Sequence, residues 1–205
     1  MSTRILLVRH AEVEARYQGV FGGRIDMNLS PRGHEQALAL ADYLHQARPD
    51  AIYASPMKRV QQTLAPLMGN GVPAPIILGD MREVDFGDWT GLNWEEALAK
   101  YRIRAFEWLE HIERGAVPNG ESGPALRARV EPCLRQIIRD HAGQNVAVIC
   151  HGGVIRAALA VLLELPFPRT AAFEIDYASI TTVEVEDGRA WLQSLNYQPW
   201  HNGIP

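Results

Sequence analysis

The sequence is poor in cysteine and contains no long apolar run. Its two cysteines, Cys133 and Cys150, lie in apolar-patterned segments without the C-x-x-C spacing of a redox or zinc motif. Buried free thiols are therefore a better interpretation than a disulfide or a metal site. No stretch reaches the length of a transmembrane helix, and the first residues lack the apolar core of a signal peptide. We expect a cytoplasmic protein with no membrane partner.

An excess of positive charge is also missing. The 205 residues include 20 lysines and arginines against 24 aspartates and glutamates, which gives a formal net charge of −4 at pH 7. A nucleic-acid partner held by bulk electrostatics is therefore not expected, and any anion site must be a local cluster of cations. The length fits one medium-sized domain and we find no repeat or domain boundary, so we expect a single domain over residues 1–205.

Two apolar runs of the sequence each end in a histidine. Residues 5–8 are followed directly by Arg9 and His10, and residues 146–150 are followed by His151. Runs of this length are typical of strands buried on both faces. One histidine in such a place is usually a hydrogen-bonded loop residue. Two of them are expected to face one crevice, because open α/β sheets bind their ligands at the carboxyl edge.

The remaining pattern alternates strands with helices. A serine followed by proline is typical of a helix N-terminus, and it occurs at Ser30-Pro31 and at Ser55-Pro56. Apolar spacing predicts further helices over 94–113, over 126–138 and after His151. It predicts strands at 51–54, 172–175, 180–185 and 190–195. This order indicates an α/β fold of three layers, with a mostly parallel central sheet and helices on both faces.

The first strand end resembles the arginine–histidine–glycine–glutamate motif of the histidine phosphatase superfamily, the phosphoglycerate-mutase-like enzymes, with Ala11 in place of the glycine. The resemblance continues over most of the chain, through residues 21–30, 55–63, 81–91 and 119–122. It implies the phosphoglycerate-mutase-like form of the three-layer fold. Within the superfamily, the sequence resembles the phosphatase branch that includes α-ribazole phosphatases and broad-specificity phosphatases.

The resemblance implies a role for each matching residue. The implied catalytic residues are the nucleophile His10, the proton donor Glu83 and the further phosphate-contacting group His151. The residues implied in binding the substrate phosphate are Arg9, Arg59, Arg16 and Gly22. The implied reaction is the metal-independent hydrolysis of a small phosphorylated metabolite through a phosphohistidine, with no cofactor. Such chemistry suits these residue types, because guanidinium groups bind phosphate oxygens in pairs and neutral imidazole has a free lone pair.

The residues alone leave other interpretations open. Arg59 can be a surface arginine in solvent, and Glu83 or Asp85 can be an ordinary exposed loop acid. A metal site from His10, His151 and Glu83 is a further alternative, but no pair of these ligands has i,i+4 spacing and the arginines would repel a cation.

Arg16 stands where many relatives carry a phosphate-contacting asparagine. It either binds a second anionic group of the substrate or pairs with Glu12 or Glu14. The pocket is expected to have apolar walls that suit a ring-bearing leaving group, from the residues Phe21, Trp89 and Trp94.

Two alternative functions belong to the same fold. A cofactor-dependent phosphoglycerate mutase must hold a second phosphate and a carboxylate, and the resemblance places basic residues for this purpose just after the acid and after the Gly91-Leu92-Asn93 stretch. Here those positions are Val84 and Trp94, and no adjacent arginine pair follows. The other alternative is an inactive binding module. A homodimer stays open as well.

Overall fold

A computed structural model describes residues 1–69, 71–104 and 107–201. Within these residues, six strands form one sheet in the order β3-β2-β4-β1-β5-β6. β1, β2, β3 and β4 pair in parallel, whereas β5 and β6 form an antiparallel hairpin beside β1. The strands are β1 (Thr3–Arg9), β2 (Ala51–Ala54), β3 (Ile76–Ile77), β4 (Asn145–Cys150), β5 (Ile180–Glu186) and β6 (Arg189–Tyr197).

Helices cover both faces of this sheet. They are α1 (Pro31–Ala47), α2 (Lys58–Leu64), α3 (Trp94–Tyr101), α4 (Trp108–Glu113), α5 (Gly123–Asp140) and α6 (Gly152–Leu162). Successive side chains of a strand point to opposite faces, and in β1 this separates two core clusters. Ile5 and Leu7 pack in one cluster with residues of α4, α5 and α6, while Leu6 and Val8 pack in another with residues of α1 and α2. The predicted three-layer fold is confirmed.

The pairing of β1 with β4 brings the two histidines together. Arg9 lies opposite Cys150 in the parallel register, so the next residue of each strand is a histidine. The backbone N–H of His10 donates to the carbonyl of Cys150 at 3.0 Å. The expectation that both histidines share one edge of the sheet is therefore confirmed.

Some predicted elements differ from the observed ones. The helix predicted over 94–113 is two helices, because Arg102 ends α3 in the left-handed conformation with φ of 58°. Residues 105 and 106, inside that predicted helix, lie outside the described residues. The strand predicted at 172–175 is wrong, because residues 167–172 form a 3₁₀-helix that closes with the N–H of Phe173 donating to Thr170. Within the described chain, no helix combines the length and apolar character that a membrane span requires.

The helix predicted to begin at Ser55-Pro56 begins later. α2 starts at Lys58, and its N-cap residue Met57 provides no side-chain cap. The hydroxyl of Ser55 lies instead 2.8 Å from Nε2 of His151. Ser30, in contrast, caps α1 as predicted, and its side chain accepts a hydrogen bond from the N–H of Gly33.

The first turn of α1 supports the loop that follows His10. The N–H of Ser30 donates to the carbonyl of Glu12 at 2.9 Å, and its hydroxyl donates to the Glu12 carboxylate at 2.6 Å. Gly33 lies on the same side of the helix, and a Cβ added there would overlap the carbonyl oxygen of Glu12. The helix and the loop can approach this closely only because residue 33 lacks a side chain.

We therefore predict that Gly33→Ala lowers the free energy of unfolding by about 1–3 kcal/mol, although alanine is the better helix former. Urea unfolding followed by circular dichroism measures the change. Gly79→Ala is the matched control, because Gly79 is exposed and a Cβ there meets nothing closer than 3.7 Å. If Gly33→Ala is as stable as wild type, the close approach does not constrain this loop.

Candidate active site

A cavity of about 240 Å³ opens at the carboxyl edge of the parallel strands. Its polar lining comes from the end of β1, from α2 and α6, and from the loop that carries Glu83, and it includes Arg9, His10, Arg59, Glu83 and Arg156. Three guanidinium groups thus face the cavity together with one carboxylate. This is the local cluster of cations that an anion site requires in a chain of negative net charge.

The two histidines lie against each other beneath this cavity. Their ring centroids are 5.2 Å apart, and His10 is 4 % exposed while His151 is fully buried. Arg59 lies between them, because its Nε is 3.1 Å from Nε2 of His10 and 3.2 Å from Nδ1 of His151. A guanidinium N–H can only donate, so both of these imidazole nitrogens must carry a lone pair.

The remaining ring nitrogens fix the tautomers. Nδ1 of His10 lies 2.8 Å from the carbonyl oxygen of Ala11, so Nδ1 carries the proton and Nε2 carries the lone pair. His151 has the opposite tautomer: its Nδ1 carries the lone pair, and its Nε2–H donates to the hydroxyl of Ser55 at 2.8 Å. His10 therefore presents an unprotonated Nε2 beside a cation.

The surroundings keep both rings neutral. Burial holds the pKa of His10 well below its ordinary value of 6.5, and the charges of Arg59 and Arg9 lower it further. Burial, followed by the charge of Arg59, likewise holds the pKa of His151 well below that value. Desolvation penalises the charged form of an imidazole, and a neighbouring cation adds to the penalty. A neutral imidazole is the form with a lone pair for nucleophilic attack.

Arg59 is held in place by backbone carbonyls. Its Nη1 donates to the carbonyl of Ile25 at 2.8 Å, and its Nη2 donates to the carbonyl of Gly23 at 3.0 Å. Arg59 is only 2 % exposed to solvent. Burial lowers the pKa of Arg59 from its ordinary value, with the Glu83 charge acting in the opposite direction. The alternative of a surface arginine in solvent is wrong.

Arg9 is oriented from the opposite side of the cavity. Its Nη1 donates to the carbonyl of Ile175 at 2.6 Å, and its guanidinium carbon lies 4.0 Å from the centroid of the Tyr177 ring. Its Nε is buried and has no hydrogen-bond partner among the described residues. An anion in the cavity can satisfy such a group.

Glu83 reaches the cavity next to the N-terminus of α6. One carboxylate oxygen accepts from the N–H of Val84 at 2.9 Å, and the other accepts from the N–H of Gly153 at 3.3 Å. A Cβ on residue 153 would lie 2.6 Å from the Glu83 carboxylate. The glycine at position 153 therefore leaves the room that this carboxylate occupies.

Arg129 on α5 fixes the segment that carries Glu83. Its guanidinium pairs with Glu121 at 2.6 Å and donates to the carbonyls of Asp80, Arg82 and Glu83. Glu121 in turn accepts from the N–H of Asp85 at 3.3 Å. The sequence analysis missed Arg129, and the only available signal was the family-like segment that contains Glu121.

The other predicted phosphate-binding residues lie in different places. Gly22 lines the cavity. Arg16 is exposed and pairs with Glu14 at 3.1 Å, which is the second of the two expectations for this residue. Its side chain is not among the described residues that line the cavity. Binding of an anion by Arg16 stays a prediction.

Arg156 and Tyr177 line the cavity and were not found from the sequence. Arg156 lies one turn into α6 and donates to the carbonyl of Thr170. Burial and then the charge of Arg9 lower its pKa to about 10. Side chains of a helix tilt toward its N-terminus, and Arg156 follows Gly152 by four residues, so both line the cavity from the same face of α6.

Four aromatic side chains form the apolar side of the cavity. We call them the aromatic wall: Phe21, Phe86, Trp94 and Trp108. Phe21 contacts Trp94 and Phe86 edge to face, with centroids 4.6 Å and 5.1 Å apart, and Phe86 contacts Trp108 at 5.6 Å. Trp89 was expected in this wall, but it is buried behind Phe21 and supports it from the core.

In the described part of the chain, no three histidine, cysteine, aspartate or glutamate side chains lie close enough together to hold a metal ion. Cys150 is fully buried, and burial raises the pKa of its thiol to about 12, so this cysteine is a core residue.

The comparisons with known proteins agree with this geometry. A sequence model of the histidine phosphatase superfamily (branch 1) matches residues 5–198. The chain is 32 % identical to phosphoserine phosphatase 1 of Hydrogenobacter thermophilus, over 94 % of this chain and 92 % of the relative. It is 31 % identical to the metal-independent phosphoserine phosphatase of Arabidopsis thaliana, over 93 % of this chain and 79 % of the relative.

A similar solved structure is the α-ribazole phosphatase of Shigella flexneri. Its TM-score is 0.81 at 26 % identity, over 95 % of this chain and 96 % of that one. The similar proteins thus share the fold and a phosphatase name, while their named substrates differ. The pair of histidines at the strand ends, set among arginines at the predicted edge of the sheet, agrees with these matches. The chain belongs to the histidine phosphatase superfamily and is a phosphatase.

Proposed function

We propose that this protein hydrolyses a phosphomonoester of a small metabolite through a phosphohistidine on His10, without a metal ion or cofactor. The observation that carries the proposal is the state of Nε2 of His10. It is unprotonated, it belongs to a buried neutral ring, and it lies among the guanidinium groups that can hold a phosphate.

The proposed first step transfers the phosphoryl group to the enzyme. The lone pair on Nε2 of His10 forms a bond to phosphorus, and the bond from phosphorus to the alcohol oxygen breaks. Arg9 and Arg59 stabilise the negative charge on the phosphoryl oxygens. Glu83 gives its proton to the departing oxygen, so the leaving group departs as a neutral alcohol.

The proposed second step returns the enzyme to its starting state. The Glu83 carboxylate takes a proton from a water molecule, and the water oxygen bonds to phosphorus while the bond to Nε2 breaks. Phosphate leaves, and His10 is again a neutral imidazole. His151 takes part when a phosphate monoanion binds: the proton of that monoanion moves to Nδ1, and the resulting imidazolium donates a hydrogen bond back to a phosphoryl oxygen of the dianion.

The positions that would serve a mutase are apolar here. Val84 is fully buried in the core, and Trp94 belongs to the aromatic wall. Neither side chain can bind the second phosphate or the carboxylate of a bisphosphorylated intermediate. This supports release of phosphate to water over its transfer to a second substrate position.

The central test is the dependence on His10. We predict that His10→Ala lowers turnover of p-nitrophenyl phosphate by about 10³-fold or more, because the nucleophile is lost. Turnover by the wild type should persist in EDTA, and rapid acid-free quenching should trap one base-stable phosphate per chain.

His34→Ala is the matched control for this test, since His34 is an exposed histidine on α1. It should keep the wild-type rate and the trapped phosphate. Loss of wild-type activity in EDTA, or turnover by His10→Ala near the wild-type rate, contradicts the mechanism.

The pH profile tests the neutral state of His10. Because burial and the arginine charges hold its pKa well below 6.5, His10 keeps its lone pair as the pH falls past 6.5. The kcat/KM for p-nitrophenyl phosphate, corrected for ionisation of the substrate, should therefore decline only well below pH 6.5, since this parameter reports the free enzyme. An acid limb centred at pH 6.5, with the protein still folded by circular dichroism, would show an imidazole of ordinary basicity.

The role of Glu83 is tested by the leaving group. We predict that Glu83→Gln slows an alkyl phosphate at least about ten times more than it slows p-nitrophenyl phosphate, because only the alkoxide needs a proton. Asp85→Asn is the matched control, because the Asp85 carboxylate accepts from the N–H of Gly87 at 3.0 Å within its own turn. Equal slowing of both substrates by Glu83→Gln assigns Glu83 a positioning role, and selective slowing by Asp85→Asn makes Asp85 the donor.

A further inference from the structure

The cavity has two chemically different sides. The cationic side holds the guanidinium groups around His10, and the aromatic wall forms the other side. The two sides adjoin at Gly23, whose carbonyl accepts from Arg59, while a Cβ added to this glycine would lie 3.3 Å from the Phe86 ring. A group attached to a phosphate in the cationic side therefore has the aromatic wall within reach.

The proton donor determines which part of a substrate meets this wall. Glu83 must lie beside the leaving oxygen in order to protonate it, so the leaving group extends from the phosphate on the Glu83 side. Phe86 follows Glu83 in the same short segment, and Trp108 packs against Phe86. The aromatic wall is thus the surface that the leaving group contacts.

The wall also suits one kind of leaving group. Phe21 and Phe86 are 4 % and 7 % exposed, so they are fixed by the core, while Trp94 is 37 % exposed at the rim. The wall itself presents no ionisable side chain. Among the described residues, Arg156 is the third guanidinium group that lines the cavity; it donates to the carbonyl of Thr170, and the charges of Arg9 and Glu83 act on its pKa in opposite directions. Rings bind well to such surfaces, because edge-to-face and offset contacts add to apolar burial.

We propose that the aromatic wall is the leaving-group site and that the substrate is the phosphomonoester of a ring-bearing alcohol. This inference rests on the proposed phosphatase reaction and adds its substrate class. A small acidic alcohol gains nothing from the wall, because none of its four rings carries a charge to pair with a carboxylate.

The test compares two substrates with the same reacting bond. Ethyl phosphate and 2-phenylethyl phosphate both release a primary alkoxide, so their chemistry is matched and only the ring differs. We expect wild-type kcat/KM to be at least about tenfold higher for 2-phenylethyl phosphate. O-phospho-L-serine serves as the acidic comparison and should be no better than ethyl phosphate.

Variants of the wall show whether the preference arises there. Trp94 and Trp108 are the first residues of α3 and α4, so Trp94→Ala and Trp108→Ala leave the helix interiors intact. Each should lower the ratio of kcat/KM between the two alkyl phosphates about three- to tenfold. Trp191→Ala is the matched control, since Trp191 is 42 % exposed on the edge strand β6, and it should leave the ratio unchanged.

The outcomes separate this inference from the reaction itself. Equal kcat/KM for the two alkyl phosphates overturns the substrate class while leaving the hydrolysis in place. A preference for O-phospho-L-serine over ethyl phosphate that is lost in Arg156→Gln also overturns the substrate class, because it would assign the site to an acidic alcohol. An unchanged ratio in both tryptophan variants overturns the role of the wall. No turnover of any ester, p-nitrophenyl phosphate included, refutes the phosphatase reaction instead.

Discussion

A buried guanidinium group in contact with two imidazole rings is the constraint on which the site depends. Arg59 has no carboxylate within ion-pair distance among the described residues, and its Nε lies within 3.2 Å of both His10 and His151. Neither ring can take up a proton without placing a second buried cation beside the first. The contact therefore keeps both rings neutral, and it leaves the described lining of the cavity with more guanidinium groups than carboxylates.

This constraint extends into the fold through hydrogen bonds to the backbone. The carbonyl of Ala11 and the hydroxyl of Ser55 select opposite tautomers for the two rings, and the carbonyls of Gly23 and Ile25 hold the guanidinium group between them. All four partners lie on loops at one edge of the sheet. Their positions follow from the parallel pairing of β4 with both β1 and β2, because the loops that follow parallel strands lie at the same edge of the sheet.

The sequence was sufficient for the parts of the site that are local to one strand or one turn. An apolar run followed by a histidine predicts both the strand and the place of His10, and Ser30 before proline predicts the start of α1. The same local rule gives a wrong prediction at Ser55. Its hydroxyl accepts a hydrogen bond from the imidazole of His151, which is distant in the sequence, and does not cap α2. The rule is silent on Arg129, which lies 46 residues from Glu83 in the chain and reaches it only after α5 has packed. It is incomplete for Trp89, whose aromatic character does not distinguish a residue that lines the cavity from one that supports it.

The two sides of the cavity differ in how closely their residue types are restricted. The cationic side is built from residues at strand and helix ends, and the bonding needs of a phosphate restrict their chemistry closely. The aromatic wall is assembled from four separate segments, and any ring of suitable size satisfies the core that packs behind it. Phe21 and Phe86 are fixed by that core and Trp108 packs against it, whereas Trp94 is 37 % exposed at the start of α3. If the aromatic wall is the leaving-group site that we propose, substrate choice can change at Trp94 while the guanidinium groups around His10 are kept.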